Sequence, residues 1–267
     1  SMSMSITVTQ LRKFKEQGQR FAALTAYDAS FARLMDEAGI EVVLVGDSLG
    51  MVVQGQESTV RVSMDQMVYH TRMVRRGAQR ALVMADMPFL SYATAEQALH
   101  NAGRLMQEGG AHMVKLECVA EDVAIVAHLA RHGVPVCAHL GLLPQTVYKL
   151  GGYKVQGRVQ EEAEAMVRNA VAFEQAGADV LLLESVPRGL AASITACLRI
   201  PVIGIGAGPD CDGQVLVCYD MLGITPGKRP KFSKDFLTEA GSIPAALAAY
   251  AAAVKDGSFP AAEHSFE

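Results

Sequence analysis

Short apolar runs recur along the whole chain, separated by longer segments, and this alternation constrains the fold more than any other feature. Each run is nearly continuous in apolar character, rich in β-branched residues and bounded by Gly, Pro, Asp or Ser. Such runs are typical of parallel strands that are buried on both faces. The predicted strands are residues 21–25, 42–45, 81–85, 112–116, 135–138, 180–183, 201–205 and 218–222.

The segments between these runs have helical periodicity. Residues 94–107 and 161–176, for example, carry apolar side chains three and four positions apart. This spacing is typical of amphipathic helices that pack one face on a core. Gly39, Gly133 and Gly177 follow such segments and are typical helix stops.

Eight strand–helix units without a break in composition predict one α/β domain, a (β/α)₈ or TIM barrel over residues 6–256. An open doubly wound sheet is the alternative, but it would leave two or three of the runs unexplained. Residues 235–256 are rich in Ala and Leu and form the predicted last helix. We interpret residues 1–5 as an added leader, and residues 257–267 as a tail that is mobile or held by a neighbouring subunit.

Composition argues against several classes of partner. The chain has 24 Lys and Arg against 28 Asp and Glu, a net charge of −4. Nucleic acids and anionic membranes both favour a basic excess, so we expect neither as a partner. No apolar run reaches the roughly 20 residues that a membrane helix requires. Five Cys without paired spacing predict reduced thiols in a cytoplasmic protein.

Ionisable side chains follow five successive predicted strands. The carboxyl ends of the strands build the active site of a parallel barrel, so these side chains should converge. A single Asp after a strand is more simply a helix N-cap, but Glu and His are poor N-caps, and five strands share the feature. The residues are Asp47, Asp86, Lys115, Glu117, His139 and Glu184.

Converging carboxylates repel one another unless a cation lies among them. Lys115 supplies one positive charge, and Mg²⁺ would supply more, because it takes oxygen ligands and leaves positions for water and substrate. We therefore predict an Mg²⁺ site with Asp47 and Asp86 as direct ligands. Glu117 would be a further ligand or would hold a metal-bound water.

The remaining groups have two interpretations each. Lys115 and Glu117, two residues apart, share one face of a strand, which is the barrel interior unless they form an exposed surface pair. Glu184 ends a very apolar strand and is either a general base with a raised pKa or a structural carboxylate. His139 would polarise a substrate oxygen or orient the loop after the fifth strand.

Two glycine-rich segments have less specific signals. Residues 204–208 (Gly-Ile-Gly-Ala-Gly) lie late in the chain and precede Pro209, which argues against a dinucleotide-binding fingerprint. Glycine backbone at this position instead allows a substrate or a loop to approach closely. Residues 151–157 predict a lid or an ordinary surface turn.

With these residues in place, the sequence resembles the 3-methyl-2-oxobutanoate hydroxymethyltransferase (ketopantoate hydroxymethyltransferase) family over nearly its whole length. Several motifs together carry the resemblance. They are TAYD at 25–28, VGDSLGM at 45–51, ADMPF at 85–89, MVKLE at 113–117, HLGL at 139–142, GGYKVQGR at 151–158, PVIGIGAG at 201–208 and EHSF at 263–266.

The resemblance implies a barrel of the phosphoenolpyruvate/pyruvate superfamily that assembles as a homodecamer. It also implies one-carbon transfer from 5,10-methylenetetrahydrofolate to 3-methyl-2-oxobutanoate, giving 2-dehydropantoate for pantothenate synthesis. Family positions that match Asp47, Asp86 and Glu117 hold Mg²⁺, and the one that matches Glu184 is the proton acceptor. The positions that contact the oxo acid match Asp47, Ser48, Asp86 and Lys115.

Two other functions remain open at this point. One is a different Mg²⁺-dependent lyase or mutase of the same barrel superfamily, acting on a 2-oxo acid or a phosphonate. The other is a non-catalytic barrel that serves as a scaffold. A complete set of carboxylates, lysine and base favours an enzyme, because a scaffold has no need of them.

Overall fold

The computed structural model describes residues 5–267, which form a closed barrel of eight parallel strands. Each strand pairs with its sequence neighbours, and the eighth pairs with the first. This confirms the predicted (β/α)₈ fold; of the predicted leader, residues 1–4 lie outside the described residues. The strands are β1 (Phe21–Thr25), β2 (Val42–Val45), β3 (Leu82–Asp86), β4 (Met113–Glu117), β5 (Val136–Gly141), β6 (Val180–Glu184), β7 (Val202–Ile205) and β8 (Gly213–Leu216).

Helices surround this barrel. Those predicted at residues 94–107 and 161–176 are confirmed with slightly shifted ends. The predicted last helix, residues 235–256, is instead two helices separated by Gly241, which is left-handed with φ 82°. The helices are α1 (Val8–Glu16), α2 (Ala29–Glu37), α3 (Leu49–Val52), α4 (Met64–Gly77), α5 (Ala95–Gln107), α6 (Val123–Arg131), α7 (Val147–Leu150), α8 (Gln160–Gln175), α9 (Arg188–Cys197), α10 (Cys218–Met221), α11 (Leu237–Ala240) and α12 (Ile243–Asp256), with 3₁₀ turns at Ala120–Asp122, Pro144–Thr146 and Ala262–His264.

The prediction of the eighth strand was wrong. Residues 218–222 contain the short buried helix α10, and the strand that closes the barrel lies earlier, at Gly213–Leu216. Gly213 and Gln214 interrupt its apolar pattern, yet Gln214 is buried, with its side-chain amide donating to the Gly208 carbonyl at 2.9 Å. A short apolar run does not distinguish a buried strand from a buried helix.

The strands divide their side chains between two cores. One core fills the barrel interior, and the other lies between the barrel and its helices. Strand β4 illustrates the division, because Met113 joins the interior core while Val114 and Leu116 join the outer one. Helix α1, which the sequence analysis did not predict, buries Leu11 against the interior core and covers the amino-terminal end of the barrel.

The same alternation turns the last residues of the strands inward. Lys115 and Glu117 share the face of Met113 and are only 5% and 7% exposed, which confirms the interior position and excludes the surface pair. Strand pairing also places Asp86 beside Lys115 and Glu117 beside His139.

Residues 257–267 pack against their own barrel, and the predicted contact of the tail with a neighbouring subunit stays a prediction. The backbone N–H of Arg188 donates to the Phe266 carbonyl at 2.8 Å, and Lys231 Nζ donates to the Ser265 carbonyl at 2.9 Å. The tail therefore forms part of the wall at the carboxyl ends of the strands. Within residues 5–267, no helix combines the length and the apolar character needed to cross a bilayer.

Candidate active site

A cavity of about 500 Å³ opens at the carboxyl ends of the strands. Its rim includes Tyr153 and Lys154 from the predicted lid, together with Lys231, Phe232 and Phe266. All the side chains predicted to form the site line this one cavity, namely Asp47, Ser48, Asp86, Lys115, Glu117, His139 and Glu184.

Asp86 connects the ends of β2 and β4. Its Oδ2 accepts a hydrogen bond from the backbone N–H of Asp47 at 2.9 Å, and its Oδ1 lies 3.0 Å from Lys115 Nζ. The contact between Oδ1 and Lys115 is an ion pair whose angles do not meet the criteria for a hydrogen bond. The buried Oδ1 therefore accepts no hydrogen bond and retains the capacity to bind a ligand. Burial opposes the charge of Lys115, but Asp86, Glu117 and Asp47 outweigh it and hold the pKa of the ammonium above its usual range.

These contacts do not fit the N-cap interpretation. Asp86 is the last residue of β3 and is bound as described, while α3 begins after Ser48, whose side chain makes no capping hydrogen bond. Instead, the Ser48 hydroxyl lies 2.8 Å from the Tyr27 hydroxyl, which lies 2.8 Å from Thr25 Oγ1. Thr25 and Tyr27 of the TAYD motif thus hold the Ser48 hydroxyl in place through hydrogen bonds. The spacing of residues in the sequence did not reveal this role.

His139 lies between the lysine and the predicted base. Lys115 Nζ donates to His139 Nδ1 at 2.8 Å, and His139 Nε2 donates to the Leu142 carbonyl at 2.9 Å, partners that fix the proton on Nε2. Burial and the neighbouring Lys115 hold the pKa of His139 well below its ordinary value, so the ring is neutral. Its 3.2 Å contact with Glu184 Oε1 is therefore not an ion pair.

The carboxylates of the cavity resist ionisation. Burial raises the pKa of Glu184 to about 8, against the opposing effect of Lys115, and burial raises the pKa of Glu117 to about 8 as well. Burial, followed by the charges of Asp86 and Glu117, raises the pKa of Asp47 well above its ordinary value. One lysine does not neutralise this group of carboxylates, so a divalent cation suits the site.

The donor atoms fit Mg²⁺ in an open site. Within the described part of the chain, no three His, Cys, Asp or Glu side chains are gathered into a preformed metal cage. Mg²⁺ needs no such cage, because it commonly binds one or two carboxylates and completes its coordination with water and substrate oxygens. Carboxylate oxygens of Asp47 and Asp86 facing one cavity meet this requirement.

Gln145 is a further residue of the site that the sequence analysis missed. Its side-chain Nε2 donates to Asp47 Oδ2 at 2.9 Å, and its backbone N–H donates to Glu117 Oε1 at 3.0 Å. An amide in a loop carries no periodic or charge signal, and its partner Asp47 lies 98 residues away in the sequence. Nothing in the sequence pattern could therefore have identified it.

Comparison with known proteins gives a consistent assignment. The profile of the ketopantoate hydroxymethyltransferase family matches residues 5–262. The 3-methyl-2-oxobutanoate hydroxymethyltransferase of Alkalilimnicola ehrlichii is 61% identical over 261 residues, which are 98% of this chain and 94% of the relative. The enzyme of that name from Marinobacter nauticus is 59% identical over 264 residues, covering 99% and 100% of the two chains.

Solved structures share the barrel at much lower sequence identity. A phosphonopyruvate hydrolase in complex with oxalate and Mg²⁺ matches with a TM-score of 0.62 and 16% identity over 97% of this chain and 93% of that one. A 2,3-dimethylmalate lyase of the PEP mutase/isocitrate lyase superfamily matches with a TM-score of 0.61 and 19% identity, covering 81% and 82%. These structures support the fold, while the profile and the full-length relatives decide the family. The chain belongs to the ketopantoate hydroxymethyltransferase family and is an enzyme of that class.

Proposed function

We propose that the enzyme transfers a one-carbon unit from 5,10-methylenetetrahydrofolate to 3-methyl-2-oxobutanoate, giving 2-dehydropantoate, and that the reaction begins with removal of the C3 proton of the oxo acid. One observation carries this proposal. A single cavity holds a carboxylate pair, a fixed ammonium group and a desolvated carboxylate, contributed by Asp47, Asp86, Lys115 and Glu184. These are the groups that proton abstraction next to a carbonyl requires.

Asp47 and Asp86 are the proposed direct ligands of Mg²⁺, and Glu117 is a further ligand or holds a water of the ion. Bound there, Mg²⁺ would act as a Lewis acid on the 2-oxo group and stabilise the enolate that proton loss creates. Without the ion, Asp47 and Glu117 retain raised pKa values, because burial and repulsion by neighbouring carboxylates oppose ionisation. The residues present therefore explain why the activity should require a divalent cation.

Lys115 and Ser48 are the proposed contacts of the substrate carboxylate. The Lys115 ammonium is held by Asp86 on one side and by His139 Nδ1 on the other. The side chain is therefore preorganised in one rotamer for binding the substrate carboxylate. The Ser48 hydroxyl is held by Tyr27 and faces the cavity. His139, held by Lys115 and by the Leu142 carbonyl, contributes by orienting the loop after β5.

Glu184 is the proposed base. Its raised pKa, about 8, makes its carboxylate a stronger proton acceptor than an ordinary glutamate, although only about a tenth of it is ionised at pH 7. Its carboxylate faces the cavity and keeps 14% of its side-chain surface accessible, so a substrate can reach it. The neighbouring neutral His139 does not cancel its charge.

Donor dependence tests this function against its rivals. Consumption of 3-methyl-2-oxobutanoate and formation of tetrahydrofolate should occur together, should require methylenetetrahydrofolate, and should stop when EDTA removes the metal. Consumption of oxo acid without the folate would instead indicate a lyase or mutase. Absence of turnover with every metal and donor would contradict the proposal and favour a scaffold.

We further propose that the enzyme acts in the cytoplasm as a homo-oligomer. Within residues 5–267 all five cysteines are free, which suits the reducing cytoplasm. The homodecamer implied by the family resemblance stays a prediction, which light scattering on the purified protein would check. A monomer at micromolar concentration would contradict it.

A further inference from the structure

Gln145 occupies an unusual place in the fold. It lies on the 3₁₀ turn Pro144–Thr146 after β5, yet it is only 4% exposed, because its side chain extends across the barrel end towards β2 and β3. Its hydrogen bonds reach Asp47 after β2, Met87 after β3 and Glu117 at the end of β4. One amide side chain with its own backbone N–H thus connects the ends of three other strands.

The orientation of this amide is determined by its partners. Nε2 donates to the Met87 carbonyl at 3.0 Å, and a carbonyl can only accept, so the nitrogen is assigned without ambiguity. The second proton of Nε2 goes to Asp47 Oδ2, and Oε1 accepts from the Tyr92 hydroxyl at 2.6 Å. Both amide protons and the amide oxygen are therefore in use, which restricts the side chain to one rotamer.

The bonds to the two carboxylates are selective. Gln145 occupies one oxygen of each, Asp47 Oδ2 and Glu117 Oε1. Among residues 5–267, no protein hydrogen bond reaches the other oxygen of each carboxylate, Asp47 Oδ1 or Glu117 Oε2, so both oxygens are available to a ligand. Behind this arrangement lies a second cavity, of about 180 Å³, lined by Tyr92, Glu117 and Gln145. Because packing around Glu117 is incomplete on that side, its hydrogen bond to Gln145 contributes to holding it in place.

We propose that Gln145 is a positioning residue for the divalent cation, which orients Asp47 and Glu117 so that their free oxygens face the cavity. The inference rests on the proposed Mg²⁺ site and assigns Gln145 no contact with the substrate. Outer-shell hydrogen bonds of this kind commonly contribute ten- to a hundredfold to metal affinity. Tyr92 donates a hydrogen bond to the amide oxygen of Gln145 and so helps to hold the Gln145 side chain in this orientation.

The test measures Mg²⁺ affinity of the full-length protein by isothermal titration calorimetry, in the absence of substrate. Gln145→Met keeps the length of the side chain and removes its side-chain hydrogen bond to Asp47, while the backbone hydrogen bond to Glu117 remains. Loss of the side-chain hydrogen bonds should weaken Mg²⁺ binding by roughly ten- to a hundredfold. At saturating Mg²⁺ its kcat should return to within about threefold of the parent value, because Lys115 and Glu184 are intact; a general structural defect would not be rescued in this way.

The matched control is Gln214→Met. Gln214 is an equally buried glutamine, 4% exposed, whose side chain donates to the Gly208 carbonyl away from the carboxylates, so Mg²⁺ affinity should not change. Tyr92→Phe provides a second variant, which removes the hydroxyl that contacts the amide oxygen of Gln145 and the backbone carbonyl of Glu117. It should weaken Mg²⁺ binding by less than Gln145→Met does, and it keeps the inference testable if that variant does not fold.

Asp86→Ala separates the two possible failures. If Asp86→Ala loses Mg²⁺ while Gln145→Met and Tyr92→Phe bind it as tightly as the parent, the positioning role of Gln145 is wrong and the metal site stands. If Asp86→Ala also binds Mg²⁺ like the parent, the proposed site itself is wrong, and the inference falls with it. Equal weakening by Gln145→Met and Gln214→Met would likewise overturn the specific role.

Discussion

Glu117 and Glu184 show how surroundings give two identical side chains different tasks. Burial raises the pKa of both to about 8. Glu117, however, has one oxygen bound by the backbone N–H of Gln145, which suits its proposed role as a metal ligand. Glu184 has a neutral imidazole beside it, which suits its proposed role as the proton acceptor. At the scale of single residues, these different contacts separate the proposed metal ligand from the proposed base.

Lys115→Met tests the assignment of the ammonium to the substrate carboxylate. A charge-assisted hydrogen bond contributes about 1.5–3 kcal/mol, so KM for the oxo acid should rise by roughly ten- to a hundredfold. The KM for methylenetetrahydrofolate provides the internal control and should change little. An unchanged KM for the oxo acid would remove Lys115 from the substrate site.

The pH dependence of kcat/KM tests the base. Because the pKa of Glu184 is raised from the ordinary 4.5 to about 8, its carboxylate is protonated and inactive below that range. Activity should therefore rise with pH along a limb whose midpoint lies above 4.5 and no higher than about 8, with bound Mg²⁺ lowering it. In Glu184→Gln the residual activity should lack this limb; its persistence would assign it to another group.

At the scale of elements, the carboxyl ends of β3, β4 and β6 could be predicted to within one residue because their apolar runs end in charged residues, whereas β5 continues to Gly141, three residues beyond its predicted end. The boundary of β8 could not, because Gly213 and Gln214 conceal a buried strand. The charged candidate residues of the site were predicted in the same way, whereas Gln145 and Tyr27 contact the site through long-range hydrogen bonds that no local pattern encodes. Their roles became visible only once the strands were assembled.

Gly141, the last residue of β5, tests how the strand ends position the base. It is left-handed, with φ 92°, and a Cβ there would lie 2.3 Å from the Glu184 carbonyl oxygen. Gly133 is also left-handed, with φ 84°, but a Cβ there has nothing within 4 Å. Alanine at either position should lower the free energy of unfolding by about 1–2 kcal/mol through the backbone conformation alone.

Only Gly141→Ala should also displace Glu184, and a displacement near 1 Å can reduce the rate by about a hundredfold. We therefore expect a much lower kcat for Gly141→Ala than for Gly133→Ala, with unfolding measured in urea and kcat measured on the folded proteins. Equal kcat values in the two variants would show that the close approach between β5 and β6 does not position the base.

At the scale of the whole molecule, the fold separates stability from chemistry. Two apolar cores and helix α1 stabilise the barrel, while the site occupies the opposite end, where buried carboxylates cost stability. A bound cation should relieve that cost. The same separation explains why loops and strand ends carry the site residues, and why the fold was easier to predict than the contacts within the site.

Mg²⁺ should therefore raise the melting temperature of the whole protein. At a concentration a hundredfold above Kd, binding contributes about 2.7 kcal/mol, which corresponds to a shift of roughly 5–10 °C for a chain of this size. Asp86→Ala should show little or no shift in the same titration by differential scanning calorimetry. A full shift in that variant would place the ion elsewhere.

The most direct test of the account is hydrogen–deuterium exchange at C3 of 3-methyl-2-oxobutanoate in D₂O, followed by proton NMR without any folate. The parent enzyme with Mg²⁺ should catalyse this exchange, while Asp86→Ala should lose it. Glu184→Gln should slow it by roughly 10²–10⁴-fold, the range expected for loss of a general base, with its Mg²⁺ affinity retained. Exchange at the parent rate in Glu184→Gln would contradict the claim that Glu184 removes this proton.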